Sequence, residues 1–311
     1  MYNLSRAEKK GIKVGRIKFT KHVNSIPLNQ YGITYKIIDR MHIRVQNIGV
    51  LKVNGLDQIP DNAEIANAQL ICRHNDYYLH ITTFVPYETK KLNGMHIGMD
   101  LGIKTQVTLS NGIKVEYQIQ PSEKIKRLQK KLSRKKTGSK RYNEVLQQLQ
   151  REYEHLANER MDIVNKVGSY LVSNFSLVSF QNDSVHSWSK KFGRKVQNTG
   201  IAKLKTLLGR HKNTYEIDRY YASTQECSNC HKLNKIPLSQ RVYVCNYCGL
   251  VIDRDLNSGI DNDAKGHKEV MALGYPPLMP VDDETTTVML EYLKSIPHVT
   301  ASLVDEAGSF S

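Results

Sequence analysis

The chain has 311 residues, 40% of them hydrophobic, with a formal net charge of +15. That length supports two domains with real cores, and the lack of any run of 18 apolar residues excludes a helical membrane span. The last 31 residues carry six acids against one Lys, leaving +20 on the rest. Such an excess points to a polyanion, nucleic acid foremost, with solubility alone as the plainer alternative. The N-terminus is Lys-rich from Lys9 without an apolar stretch, so no signal peptide is expected.

Residues 1–30 are basic and lack periodicity. From 31 to 88 the pattern predicts strands. Met41-His-Ile-Arg-Val45 and Leu79-His-Ile-Thr-Thr-Phe-Val85 alternate, and Val50-Leu-Lys-Val53 runs into the turn pair Asn54-Gly55. Asn75-Asp76 reads as a hairpin turn, and together these segments predict a small antiparallel β-domain over 1–90. A second domain starts near Gly94, with strands at 95–100, 104–109 and 113–117, the last two joined by the hairpin signal Asn111-Gly112.

Residues 124–141 hold ten Lys/Arg and no acid, with Leu128 and Leu132 four apart, which predicts a basic helix ended by Gly138. Like charges at this density weaken a helix. The face is therefore read as a phosphate-contacting surface using Lys130, Lys131, Arg134, Lys135, Lys136, Lys140 and Arg141; a solvated face is the bland alternative. Tyr142, Leu146, Leu149, Tyr153, Leu156, Ile163, Val167 and Tyr170 predict one long helix with a core-facing stripe. Its polar exceptions are Asn158, Arg160, Asp162 and Lys166. A buried parallel strand follows at 175–180, ending at Gln181-Asn182-Asp183, then a helix at 201–208 and a short strand at 214–218. The last helix opens at Asp255 with an acid-rich first turn. The acidic end, 269–311, reads as peripheral or disordered, its Pro276-Pro277 and Pro280 favouring an extended path.

Before that last helix lies the most specific motif: Cys227-x-x-Cys230, fourteen residues, then Cys245-x-x-Cys248. This is the spacing of a closed, four-thiolate structural zinc ribbon over 224–250, with two disulfides as the alternative in an oxidising compartment. The fifth cysteine, Cys72, reads as a small buried hydrophobe. A meander, helices, a strand, a helix, a strand and a helix with a zinc insertion give an α/β chain of RNase H-like order over 91–223 and 251–268. That order brings Asp100, Asp183 and Asp255 to one sheet edge. Clustered carboxylates repel and call for a hard cation, and Mg²⁺ takes oxygen ligands; paired ions clamp the attacking and leaving oxygens of a phosphodiester. Taken singly, each acid also reads as a helix cap or surface residue.

Gly98-Met-Asp-Leu-Gly-Ile-Lys-Thr105 resembles the first RuvC motif of the TnpB (OrfB) family of transposon-encoded proteins. The family pattern recurs in Asn158-Glu-Arg-Met-Asp162 with Lys166, in Ser223-Thr-Gln-Glu-Cys-Ser-Asn-Cys230 and in Asp253-Arg-Asp-Leu-Asn257. Phe180-Gln-Asn-Asp-Ser-Val-His-Ser-Trp188 resembles a branch whose second motif reads Gln-x-acid before a Trp. The resemblance runs from about Lys13 to Asn262. It implies an RNA-guided DNA endonuclease related to the type V CRISPR effectors: a RuvC-like nuclease with a zinc-bearing insertion, preceded by a β-barrel-like wedge domain. It also implies guide RNA and target DNA as partners, structural Zn²⁺, catalytic Mg²⁺ and a bacterial cytoplasmic setting, nucleoid-associated when bound. By position, Asp100 and Asp255 match family catalytic acids, and Cys227, Cys230, Cys245 and Cys248 match the zinc ligands.

Three departures stand out. The family's middle acid is usually Glu, whereas Asp183 is one methylene shorter; a slip of two would put Gln181 there, which is no anionic ligand. His231 follows Cys230 where Gly is frequent. The chain begins where family members are already well into the wedge, so the first wedge strands and the helical recognition region are expected to be missing. A nuclease-dead, RNA-guided DNA-binding protein is therefore the alternative function. A zinc deaminase, prompted by His267-Lys-Glu269, is excluded because no Cys follows Cys248. A transposase label is expected by association with mobile elements.

Overall fold

The computed structural model describes residues 23–73, 76–86, 92–117, 119–237 and 239–304, in two compact units divided between Thr89 and Lys90. The expected basic stretch up to residue 22 and the Asn75 turn position lie outside the described residues.

Among its described residues the first unit has six strands: β1 (Ser25–Leu28), β2 (Tyr35–Ile37), β3 (His42–Val45), β4 (Gly49–Lys52), β5 (Glu64–Arg73) and β6 (Asp76–Phe84). They pair antiparallel as two sheets, β1-β5-β6 and β2-β3-β4. The two ladders do not join into a closed barrel among the described residues. Leu28, Tyr35, Ile43, Val45, Leu56 and Ala68 form the core. Tyr35 ties the sheets by donating its hydroxyl to the Ala66 carbonyl at 3.2 Å. The longest strand, β5, falls within the stretch expected to form strands, but its bounds are not marked by alternation in the sequence. A register shift between Ile65 and Ala68 breaks the alternation by which a strand is recognised. Cys72 on β5 is partly exposed rather than buried.

The second unit is a mixed α/β layer structure. Its elements run β7 (Met95–Leu101), β8 (Val107–Leu109), β9 (Ile113–Glu116), α1 (Glu123–Ser133), α2 (Lys140–Asn174), β10 (Leu177–Gln181), α3 (Val185–Phe192), α4 (Arg194–Thr199), α5 (Ile201–Leu208), β11 (Thr214–Ile217), β12 (Val242–Val244), β13 (Val251–Asp253), α6 (Arg254–Ala272), β14 (Met279–Pro280), α7 (Asp283–Ser295) and β15 (Thr300–Leu303). The main sheet has the order β11-β10-β7-β8-β9-β15, with β14 beside the start of β7. β7, β10 and β11 are parallel, whereas β8 and β9 form the expected antiparallel meander.

Period-two alternation divides β7 between two layers. Ile97, Met99 and Leu101 enter the large hydrophobic core with Ile163, Val167 and Leu171 of α2. His96, Gly98 and Asp100 therefore take the opposite face, where α6 lies. α6 approaches so closely that a Cβ on Gly98 would sit 2.4 Å from the Asp263 backbone nitrogen and 2.4 Å from the Gly259 carbonyl. The contact is pinned by polar groups. His96 Nδ1 is 2.8 Å from Asp263 Oδ1, Ser110 Oγ donates to Asp263 Oδ2 at 3.0 Å, and Asn262 Nδ2 donates to the Met99 carbonyl at 3.1 Å. Because backbone rather than flexible side chain blocks the space, Gly98→Ala is expected to cost about 3 kcal/mol, at the upper end of overpacking penalties; urea denaturation of the variant checks this.

Three expectations are corrected here. The basic stretch 124–141 is not one helix: α1 ends at Ser133, and Gly138, at φ 80, precedes the Ser139 cap of α2. The α2 core stripe runs through Val145, Leu149, Leu156, Ile163, Val164 and Val167, while Tyr153 is exposed. The acidic end is not peripheral over 283–303. α7 puts Met289 and Leu293 into the core, and β15 pairs antiparallel with β9, Ala301 opposite Val115. Its acids start a helix: Asp282 accepts from the Thr285 amide at 2.7 Å, a cap that holds its carboxyl below the usual range. Among the described residues no helix is long and apolar enough to cross a membrane.

Candidate metal centres and nucleic-acid interface

The four cysteines converge as their spacing predicts. Their sulfurs all lie within 4.8 Å of one another, with Cys227–Cys248 and Cys230–Cys245 Sγ distances of 3.6 Å. Zinc–sulfur bonds of about 2.3 Å put tetrahedral ligands about 3.8 Å apart, so the cage fits that ion. No cysteine is in a disulfide. Backbone amides of Cys248 and Tyr247 hold the Cys245 thiol down at about 6, while burial pushes Cys227 up to about 12. Each pair sits on a tight knuckle: the His231 amide donates to the Cys227 carbonyl at 2.8 Å, and the Gly249 amide to that of Cys245 at 3.0 Å. β12 and β13 form the ribbon hairpin. Asn257 of α6 clamps the first knuckle, accepting from the Ser228 amide at 3.0 Å and donating to the Glu226 carbonyl at 2.7 Å.

The three acids come from β7, the end of β10 and the start of α6. Asp100 is half-buried at the C-terminal end of its strand. Burial pushes its carboxyl well above the usual range, and the nearby charges of Asp255 and Asp183 add to this, with Arg254 opposing. Asp183 is raised to about 6 by burial against the pull of Lys205 and Arg219. Asp255 is held by Arg254 Nη2 at 2.9 Å and Arg241 Nη1 at 3.4 Å. The three carboxylates thus share one electrostatic neighbourhood, but they do not form a group with all ligand atoms within 4.8 Å of one another. The donor set, all carboxylate oxygen with one partial counter-charge at Asp100, fits hard divalent ions.

The rival positions are occupied otherwise. Asp253 caps α6, accepting from the Asp255 and Leu256 amides at 3.0 and 3.1 Å, and pairs with Lys114 Nζ at 2.7 Å. Gln181 lies on the α6 side of β10, level with Asp100, since Phe180 pairs with Met99. Its amide is committed to a loop, donating to the Asp218, Arg219 and Tyr221 carbonyls and accepting from Ser223 Oγ at 2.8 Å. That clamp had no signal in the sequence, because its partners are backbone carbonyls some forty positions on.

The basic residues gather at the junction of α1 and α2. Arg127, Lys130, Lys131, Arg134 and Lys135 ring one open depression. Lys124 and Lys126 are paired with Glu152 and Glu123, each at 2.6 Å. Lys130, Lys131, Arg134, Lys135, Lys136, Lys140 and Arg141 make no ion pair within 4.0 Å among the described residues. Lys140 and Arg141 also occupy the first turn of α2, which carries no acid. Cations there oppose the helix dipole, and an anion relieves them.

Residues 80–182 match a family described as "Probable transposase", and residues 206–261 match the "Cas12f1-like, TNB domain" family. A Streptomyces pristinaespiralis protein, named as a candidate RNA-guided DNA endonuclease, is 28% identical over 52% of this chain and 43% of its own length. InsQ of Escherichia coli (strain K12), named likewise, is 28% identical over 57% of this chain and 50% of its own. TnpB-like protein L79 of Acanthamoeba polyphaga mimivirus is 26% identical over 45% of this chain and 28% of its own. The chain thus spans half or less of the length of these relatives. A solved Cas12f1–sgRNA–target DNA complex aligns with TM-score 0.42 and 15% identity over 65% of this chain and 46% of that one.

Proposed function

We propose that this chain is a TnpB (OrfB) family RNA-guided DNA endonuclease cutting by a RuvC-type, Mg²⁺-dependent mechanism. The observation that carries the reading is Asp100: a half-buried strand-end carboxylate pressed upward by burial and by acids from two other elements. Such an arrangement costs folding free energy and is kept where function needs it. An RNase H-like reading of the second unit is supported by the meander β7–β9, the parallel β10 and β11, and α6 against β7. RNA as guide and DNA as substrate come from the names of the relatives.

Asp100, Asp183 and Asp255 would hold the magnesium, and Cys227, Cys230, Cys245 and Cys248 the zinc. Bound divalent ions supply Lewis acidity to the scissile phosphate and an acidified attacking water. The chain's own residues do the rest. The close seat of α6 on Gly98 sets Asp255 relative to Asp100. The Asp253 cap fixes the helix start, and the Gln181 clamp fixes the loop after β11. The basic depression holds phosphodiester backbone. Neutralising Lys130, Lys131, Lys135 and Lys136 together is expected to weaken nucleic-acid binding and to flatten its salt dependence by about 0.7–0.9 in log-log slope per lost contact. A salt titration of binding checks this, and an unchanged slope returns the surface to mere solvation.

One observation favours the second reading, RNA-guided binding without cleavage: the residue level with Asp100 on β10 is Gln181, not an acid. The test is to sequence RNA that co-purifies with the protein and to present DNA matching it. Mg²⁺-dependent cleavage by wild type, lost in Asp183→Asn with RNA binding retained, supports the nuclease. Binding without cleavage by wild type supports the second reading.

A further inference from the structure

We infer that Glu226, His231 and Asp261 form a further metal site, separate from the four-cysteine cage, that takes a divalent transition ion of the zinc class. One ligand atom from each residue lies within 4.8 Å of the others. His231 Nδ1 is 3.5 Å from Glu226 Oε1. A charge-assisted hydrogen bond there would close to about 2.8 Å. Two ligands of one tetrahedral ion, with bonds of about 2.1 Å to N and O, stand about 3.4 Å apart. The observed spacing is that of co-ligands.

The fold delivers the three groups independently. Glu226 and His231 flank the first cysteine knuckle, and Asp261 projects from α6. His231 holds φ 57, the left-handed conformation that Gly249 takes at φ 76 in the second knuckle. That conformation turns the imidazole beside Glu226 at a position where a side chain is otherwise disfavoured. Asp261 is only 1% exposed, and the Tyr221 hydroxyl donates to its Oδ2 at 2.7 Å, as outer partners orient a ligating carboxylate. Glu226 and Asp261 bring two carboxylates to within 4.8 Å of each other beside one imidazole, and a cation among them offsets the like charge. The mixed donor set, one imidazole nitrogen with carboxylate oxygen, suits zinc better than the all-oxygen preference of magnesium. Three protein ligands leave a fourth position for water. Because two ligands belong to the ribbon and one to α6, the ion would tie the ribbon to the helix that carries Asp255.

The test counts total metal per chain in the full chain, purified without chelator and dialysed against buffered Zn²⁺, and again in protein produced with Co²⁺ in place of zinc. Two equivalents are expected: one with thiolate-to-cobalt charge transfer and one without. Asp261→Asn and Glu226→Gln should each lose the second equivalent and keep the first. His231→Gly should also lose it while relaxing the knuckle, so loss of fold cannot be the cause if the thiolate signature persists. Tyr221→Phe should weaken the second equivalent about 10–100-fold. Asp100→Asn should leave both equivalents in place, which separates this site from ions drawn to the β7 acids. A single equivalent in wild type overturns the inference. So does a second equivalent that survives both His231→Gly and Asp261→Asn.

Discussion

Asp100→Asn is expected to abolish Mg²⁺-dependent cleavage and, with divalent ions chelated, to raise the melting temperature. The sign follows from its surroundings. Burial and the charges of Asp255 and Asp183 lift the Asp100 carboxyl well above its ordinary range, against the opposing charge of Arg254. A folded pKa above the unfolded value means that the ionised form destabilises the fold at neutral pH. Asparagine keeps the shape and removes the charge. For a unit of this size each kcal/mol recovered appears as about 2–4 °C. The substitution also removes a candidate ion ligand, so activity and stability should move in opposite directions. A cleavage assay and a thermal melt in chelator check the two halves. A melting temperature that falls would mean that Asp100 is stabilised where it sits, and the charge-cluster reading would fail.

Cys227→Ser combined with Cys230→Ser is expected to release the zinc and unfold residues 224–250 while the main sheet survives. The ribbon has almost no core of its own: Cys227, Tyr243 and Cys245 are buried, with Cys230, Ile236, Leu250 and Ile252 partly so. Two of the three buried groups are themselves cysteines of the four-sulfur cage. A structural zinc contributes about 10–16 kcal/mol of binding free energy at neutral pH, far more than that cluster can supply. Elemental analysis should show the metal lost. Hydrogen exchange should show protection lost across the hairpin β12–β13 and kept in β7 and β10, which lie in a separate core. Equal loss of protection in both would mean that the ribbon braces the whole unit.

The sequence by itself determined the elements whose physics is local. The Cys-x-x-Cys spacing specified the cage because a knuckle needs only a few adjacent residues. The apolar run at 175–180 specified a buried strand, observed at Leu177–Gln181, and Asn111-Gly112 specified a turn, with Gly112 at φ 87. That Asp100 stands near a strand end and Asp255 in the first turn of a helix was legible because each position is set by its neighbours in the chain. Tertiary structure alone decided what depends on distant partners. Gln181 and Asp183 are two residues apart in one segment, and only the loop carbonyls of 218–221 show that the Gln181 amide is committed elsewhere. The acids of 282–284 read as a solvated tail, yet they start a helix whose apolar side and following strand complete the sheet. The bounds of β5 lay beyond a sequence reading because its irregular pairing with β6 interrupts the period on which recognition rests. Glu226, His231 and Asp261 span 36 positions of sequence. Only the packing of the ribbon against α6 brings them within reach of one ion.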